Sequence, residues 1–219
     1  MHSLAVDGAE RVESVLAIGC HSDDIEIGCG GTLLALLARN PEIEITWLVL
    51  SGAGERADEA RSSAAAFLAG AKREPTVVLE SFRDSFFPYS GGDVKEAFER
   101  LKPTVSPQLV FTHAGTDLHQ DHRLVSELTW NTFRNHLILE FEIPKYDGDL
   151  GSPNVFVPLD EWVVNRKIEL LLEGFATQRS RHWFTDDIFR GLMRIRGMEA
   201  NSPTGFAEAF RCRKLQLAP

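Results

Sequence analysis

The feature that most constrains the fold is an alternation, over the first 140 residues, between short apolar runs and amphipathic stretches. Four runs rich in Val, Ile and Leu are bounded by polar residues or Gly, as buried parallel strands are. They lie at residues 12–19, 43–50, 76–79 and 109–112. We therefore predict four strands in this part of the chain.

The stretches between these runs repeat their apolar residues with the period of a helix. Residues 57–71 show this most clearly, because Ala60, Ala64 and Phe67 fall on one face. Similar patterns cover residues 31–39, 92–102 and 123–133. Strands that alternate with helices form right-handed crossovers and a parallel sheet. The predicted fold class is α/β, with a Rossmann-like parallel sheet flanked by helices.

Beyond residue 140 the pattern is less regular. The predicted elements are strands at 138–143 and 155–157, a polar connection at 144–153, and a helix that is capped by Asp160 and ends near Gly174. Residues 177–219 are interpreted as short helical turns and loops. Because no repeat or linker divides the chain, we expect a single domain over residues 1–219, with a small C-terminal extension of strands and helices.

Charge and cysteine content narrow the class of protein. The chain has 32 acidic residues against 23 Lys and Arg, a formal net charge of −9, which disfavours nucleic acid or an anionic membrane as its main partner. Three cysteines are too few for a disulfide framework. No apolar run approaches the length of a membrane span, and the segment MHSLAVDGAERVES lacks the pattern of a secretory leader. We expect a cytoplasmic protein that acts on a small molecule, and a homo-oligomer is left open.

Two predicted loops concentrate histidine and aspartate. Residues 19–26 follow the first strand and residues 113–122 follow the fourth, and open parallel sheets bind ligands outside the carboxyl ends of their strands. The candidate residues are His21, Asp23, Asp24, Asp117, His119, Asp121 and His122. Either loop alone is better explained by turn formation or helix capping, but the two together favour a chemical site.

Imidazole and carboxylate ligands suit Zn²⁺ or Fe²⁺, and a catalytic zinc ion keeps one open position beside three protein ligands. His21, Asp24 and one histidine of the second loop would then be the ligands, which leaves Asp23 free to act as a base. Gly28, Gly30 and Gly31 raise the alternative of a dinucleotide site. The G-x-G-x-x-G fingerprint needs a glycine where this chain has Leu33. We therefore interpret the glycines as points of close backbone approach beneath the metal loop.

These motifs resemble those of the PIG-L/LmbE-like family of zinc-dependent N-acetylglucosaminyl deacetylases. Residues 21–32 are similar to the family's A-H-P-D-D-E…G-C-G-G-T signature, and residues 117–123 to its D-x-H-x-D-H-R motif. Residues 51–55 resemble its T-x-G-E loop, and residues 205–210 its G-x-x-Y-A-E-x-F ending. The resemblance therefore extends over nearly the whole chain.

The resemblance implies a metal-dependent amidase that removes an N-acyl group, usually acetyl, from an amino sugar or a sugar conjugate. The roles it implies are Zn²⁺ ligands at His21, Asp24 and His122, a general base at Asp23, a transition-state stabiliser at His119, and Asp121 as the partner that orients His119 and keeps it charged. Cys20 and Ser22 depart from the family's alanine and proline. We interpret Cys20 as a packing residue, because a catalytic metal keeps an open position.

Four further residues are predicted to contact substrate at the mouth of the site, with ordinary surface charge as the alternative: Glu55, Arg56, Asp84 and Arg179. The arginines would favour a sugar that carries a phosphate or nucleotide. The role of His182 is left open. Two other function classes are considered. One is a non-catalytic sugar-binding protein that uses a metal to hold its loops, and the other is a nucleotide-binding regulator.

Overall fold

The computed structural model describes residues 12–216, which form an α/β fold around one seven-stranded sheet. The strands are β1 (Ser14–His21), β2 (Glu44–Ser51), β3 (Thr76–Leu79), β4 (Leu109–His113), β5 (Leu137–Phe141), β6 (Val155–Pro158) and β7 (Ala207–Arg211). The helices are α1 (Asp24–Arg39), α2 (Glu55–Phe67), α3 (Gly91–Leu101), α4 (Gln120–Thr132), α5 (Glu161–Gly174) and α6 (Asp186–Glu199).

The order of the strands is β3-β2-β1-β4-β5-β7-β6. The first five are parallel, whereas β7 lies antiparallel between β5 and β6. The mostly parallel sheet confirms the predicted fold class. The chain moves outward from β1 to β3 and returns to β4 on the other side of β1. The carboxyl ends of β1 and β4 therefore border the crevice in which open α/β sheets bind ligands.

Alternate residues of β1 reach two separate hydrophobic cores, one on each face of the sheet. Val15 and Ala17 belong to the core that α1, α2, α5 and α6 cover, and Leu16 and Ile18 to the core that α3 and α4 cover. This two-sided burial explains why β1 is apolar almost throughout. It also places the polar residues that follow β1 at the edge of the sheet.

Three features of the fold differ from the sequence-based predictions. Helix α1 begins at Asp24, seven residues before the predicted start at 31, so that only Ser22 and Asp23 separate it from β1. Residues 177–219 were predicted as short turns and loops, but they contain the 14-residue α6 and the strand β7. Asp160 is the N-cap of α5, as predicted, but its side chain makes no capping hydrogen bond. The proposed absence of a leader concerns residues that lie outside the described part of the chain.

A buried ion pair ties β7 and α5 to the glycine-rich turn of α1. Glu208 accepts hydrogen bonds from the backbone N–H groups of Gly31 (2.8 Å) and Thr32 (2.7 Å). Lys167 donates to Glu208 (2.6 Å) and to the carbonyl of Ile27 (2.6 Å). A Cβ atom at Gly31 would lie 2.8 Å from Glu208 Oε1, so the glycine is needed for this approach. Side chains, and not backbone, make the close approach at these glycines, which corrects the prediction.

Gly28→Ala should destabilise the fold by about 1–3 kcal/mol, the usual cost of overpacking a core. The added Cβ would lie 2.3 Å from the ring of Phe141 in β5, and that ring is fully buried. Urea unfolding would measure the change. Gly92→Ala in α3 is the matched control, because nothing lies within 4 Å of its added Cβ. Equal stability of the two variants would contradict the packing described here.

Within residues 12–216, no helix combines the length and the apolar character needed to cross a membrane.

Candidate active site

Three buried side chains converge between the carboxyl ends of β1 and β4. His21 is the last residue of β1, Asp24 is the first residue of α1, and His122 lies in the first turn of α4. His21 Nδ1 is 3.3 Å from Asp24 Oδ2, and His122 Nε2 is 3.2 Å from His21 Nδ1 and 3.5 Å from Asp24 Oδ2. We call these three side chains the ligand triangle.

The triangle has the size that a tetrahedral zinc ion requires. Ligand atoms about 2.0–2.1 Å from such an ion lie about 3.3 Å from one another. Its chemistry also fits a cation. Nδ1 of His122 lies 2.9 Å from Asp117 Oδ2, which assigns the ring proton to Nδ1 and leaves the lone pair of Nε2 facing the triangle. Burial and the neighbouring His113 lower the pKa of His122 to about 4, so the ring is in the neutral form that binds metals.

The acidic neighbours of His21 favour positive charge on its ring. Burial lowers its pKa, but Asp24, Asp121 and Asp84 together outweigh burial and raise the pKa well above its ordinary value. On the far side of the ring, His21 Nε2 is 3.2 Å from Asp84 Oδ1 and 3.4 Å from Asp121 Oδ2. Carboxylates in this position orient a ligating imidazole and increase its basicity.

A second set of donor atoms shares two members of the triangle. Cys20, Asp24, His113 and His122 also bring one potential ligand atom each to within 4.8 Å of the others. Burial raises the pKa of the Cys20 thiol well above its ordinary value, which disfavours the thiolate form that binds metals. Nε2 of His113 accepts a hydrogen bond from the backbone N–H of Cys20 (3.0 Å), which occupies its lone pair. Of these two sets, the ligand triangle therefore fits a metal ion better.

Asp23 lies beside the triangle without joining it. It is the N-cap residue of α1, and its buried carboxylate pairs with Arg56 Nη2 at 3.2 Å. Burial and the charge of Asp24 raise the pKa of Asp23 to about 6, although Arg56 and His21 act in the opposite direction. A carboxylate with a pKa near neutrality can accept and return a proton at physiological pH.

The carboxylate of Asp121 makes its hydrogen bonds elsewhere than to His119, in contrast to the predicted pairing. The carboxylate of Asp121 accepts hydrogen bonds from the backbone N–H groups of Ser85 (2.6 Å) and Phe87 (3.1 Å) and faces His21. Only its backbone N–H reaches His119, at Nδ1 (3.3 Å). The reason is helix geometry, because His119 is the N-cap of α4 and Asp121 lies inside its first turn. Burial and the charge of His21 lower the pKa of His119, so the structure does not support the imidazolium expected there.

His119 nevertheless borders the triangle. Its ring centroid is 5.0 Å from that of His21 and 4.5 Å from that of His122. Because Nδ1 accepts the N–H of Asp121, the ring proton belongs on Nε2, and a neutral His119 can donate one hydrogen bond from that atom.

The residues predicted to contact substrate have different surroundings. Arg56 joins Asp23 to the half-exposed Asp84, whose Oδ2 lies 3.2 Å from Arg56 Nη1. The hydrogen bond to His21 and the charge of Arg56 hold the pKa of Asp84 well below its usual range. Glu55 is exposed at the start of α2.

Arg179 instead donates to the carbonyls of residues 172 and 173 at the end of α5 (3.1 and 3.2 Å), because those carbonyls have no partner within the helix. These contacts use Nε and Nη2 of Arg179, and its role in substrate binding stays a prediction.

Three further residues support this site, and sequence reasoning assigned no specific role to Asp117 and no role at all to Lys145. Asp117 orients His122, and Lys145 lies 3.1 Å from Asp117 Oδ1. His113 stacks on His122 with ring centroids 3.9 Å apart. The repeated aspartates of the second motif were a signal for Asp117, but nothing in the sequence connects Lys145 with that motif. His182, whose role was left open, is exposed and contacts the hydroxyl of Tyr146 (3.3 Å).

Comparison with known proteins supports the resemblance drawn from the motifs. A family model described as PIG-L, GlcNAc-PI de-N-acetylase, matches residues 16–133. The uncharacterized deacetylase YaiS of Escherichia coli K12 is 28% identical in an alignment of 155 residues that covers 66% of this chain and 81% of that protein. The family match confirms the resemblance.

Solved structures share the fold at low sequence identity. The N,N'-diacetylchitobiose deacetylase of Pyrococcus horikoshii is 19% identical, with a TM-score of 0.67 over 92% of this chain and 84% of that chain. The 4-carboxy-2-hydroxymuconate hydratase GalB of Pseudomonas putida is 15% identical, with a TM-score of 0.72 over 95% of this chain and 99% of that chain. A deacetylase and a hydratase thus share this architecture, and the fold alone does not identify the reaction.

Proposed function

The chain belongs to the PIG-L family, and from that premise we propose that it is a metal-dependent hydrolase that removes the N-acetyl group from an amino sugar or a conjugate of one. The observation that carries the proposal is the ligand triangle with Asp23 beside it. The triangle offers three ligands of the kind and spacing that zinc binds, and the neighbouring carboxylate is left outside it. The deacetylases among its relatives and structural neighbours support the same reaction class.

The proposed centre would hold Zn²⁺ or Fe²⁺ through His21, Asp24 and His122. When bound, the ion polarises the amide carbonyl and lowers the pKa of a water molecule. Asp23 would accept a proton from the attacking water molecule and return it to the departing amine, a role that suits a carboxyl group with a pKa near 6. Arg56 keeps the carboxylate of Asp23 in place through the contact at 3.2 Å.

His119 is assigned to the developing oxyanion. Its neutral ring can donate from Nε2, and a donor of this kind is typically worth about 3–4 kcal/mol of transition-state stabilisation. Asp121 acts on His21 and not on the substrate, because its carboxylate contacts the ring of His21 and accepts the backbone N–H groups of Ser85 and Phe87. Glu55, Arg56 and Asp84 remain the proposed contacts for sugar hydroxyls. The charge of Arg56 is already shared by two carboxylates, which weakens the case for a phosphate at this position.

The reaction is tested by supplying N-acetylated sugars, free, nucleotide-linked and lipid-linked, and measuring released acetate together with new primary amine. Deacetylation produces the two in equal amounts. Saccharide binding without acetate release would instead support a sugar-binding protein, and binding of an adenine or nicotinamide nucleotide alone would support the regulator. Hydration of an unsaturated acid without acetate release would instead indicate a hydratase, the activity for which GalB is named.

The metal assignment gives its own prediction. Purified protein should hold about one divalent ion per chain, and His21→Ala, Asp24→Ala and His122→Ala should each lose it, because each removes one of three ligands. His119→Ala is the matched control, since it should keep the ion and lose turnover. Metal analysis of the four variants checks this, and full occupancy in all three ligand variants would refute the assignment.

A further inference from the structure

A largely buried lysine from outside both motifs reaches Asp117 in the loop before α4. Lys145 belongs to the segment between β5 and β6, and its side chain is one-tenth exposed. Its Nζ lies 3.1 Å from Asp117 Oδ1 and also pairs with Asp149, whose side chain is 6% exposed. A lysine is buried at this depth only when its charge is paired, so its position depends on these two carboxylates.

The two oxygens of Asp117 have separate partners. Oδ2 contacts Nδ1 of His122 at 2.9 Å, and Oδ1 accepts the backbone N–H of His119 at 2.7 Å in addition to the contact with Lys145. An unbroken series of contacts therefore runs from Lys145 through Asp117 to His122, whose Nε2 faces the ligand triangle.

We propose that Lys145 is a positioning residue for the metal centre. It holds Oδ1 of Asp117, so that Oδ2 of the same carboxylate stays in contact with Nδ1 of His122. Nε2 of His122 then stays directed at the other two members of the ligand triangle. This inference rests on the proposed metal-dependent function. Outer partners of this kind fix the tautomer and the orientation of a ligating histidine, and their loss typically weakens metal binding about 10–100-fold.

A purely structural role would duplicate anchors that the segment already has. Arg196 donates to the carbonyl of Gly151 (3.1 Å) and pairs with Glu142 (2.7 Å), and these contacts hold both ends of the segment. Asp149 accepts the backbone N–H of Leu118 (2.7 Å), so it fastens the segment to the loop next to Asp117. Lys145 adds a contact that is directed at the carboxylate behind His122.

The test compares zinc affinity among variants of the full chain, by competition with a chelating indicator. Lys145→Met should bind Zn²⁺ about 10–100-fold more weakly than the unmodified protein. Lys145→Arg should recover part of the loss, because a guanidinium also donates to a carboxylate. Lys145→Gln removes the positive charge but keeps an N–H hydrogen-bond donor. It is used in place of Lys145→Met if the Met variant does not fold. Arg196→Met is the control for loosening the segment, and it should lower the melting temperature with zinc affinity unchanged.

A second measurement does not depend on metal. Nitrogen-15 NMR of labelled histidines in the metal-free protein should show His122 with its proton on Nδ1, and Lys145→Met should shift the ring toward a mixture of tautomers. Unchanged zinc affinity with an unchanged tautomer in Lys145→Met would overturn the inference. If the unmodified protein binds no zinc but its His122 tautomer still depends on Lys145, the proposed function fails and the coupling of Lys145 to His122 is supported.

Discussion

Replacing Asp23 with asparagine is expected to lower kcat about 10²–10⁴-fold, the range that general acid–base catalysis usually contributes, with metal content unchanged. Asparagine has the size of aspartate but cannot accept the proton, and the carboxylate of Asp23 contacts Arg56 rather than the ligand triangle. Acetate release at saturating substrate, together with metal analysis of the same sample, measures both quantities.

Asp24→Asn is the matched comparison, because it makes the same chemical change at the adjacent residue. It should weaken metal binding, and excess Zn²⁺ should restore part of the activity, because Asp24 Oδ2 lies 3.3 Å from His21 Nδ1 and 3.5 Å from His122 Nε2. The reverse pattern, with metal lost in Asp23→Asn and retained in Asp24→Asn, would show that the base and the ligand have been exchanged.

The second large effect concerns stability. Lys167→Met should lower the free energy of unfolding by about 3–5 kcal/mol, the usual cost of removing one partner from a buried ion pair. It leaves the carboxylate of Glu208 buried without a cation and removes the donor to the carbonyl of Ile27. Urea or thermal unfolding measures the change.

Two further variants separate this effect from other causes. Arg166→Met removes the neighbouring cation on the same helix, whose pair with Glu169 is exposed, and it should cost less than about 1 kcal/mol. The double variant Lys167→Met/Glu208→Gln should be more stable than Lys167→Met alone, because it leaves no unpaired buried charge. Equal losses in Lys167→Met and Arg166→Met would show that the buried pair contributes little.

The sequence by itself determined the parallel part of the sheet. The strand predicted at residues 76–79 matches β3 fully, and four other predicted strands overlap β1, β2, β4 and β5. A buried strand shows as a continuous apolar run, and its crossover helix has a 3.6-residue period. Both signals are local, so they can be found without the fold. The two polar loops were also found from a local signal, their content of histidine and aspartate. They were expected to meet because the carboxyl ends of neighbouring parallel strands lie at one edge of the sheet.

Only the tertiary structure decided which residues far apart in the chain contact one another. Strand β7 inserts between β5 and β6, and its Glu208 meets Lys167 of α5 and Gly31 of α1. Asp121 faces His21, although it lies two residues from His119. Lys145 reaches Asp117 from a segment with no motif of its own. Local patterns carry no information about the partner of a buried charge, because that partner depends on which elements the fold brings together.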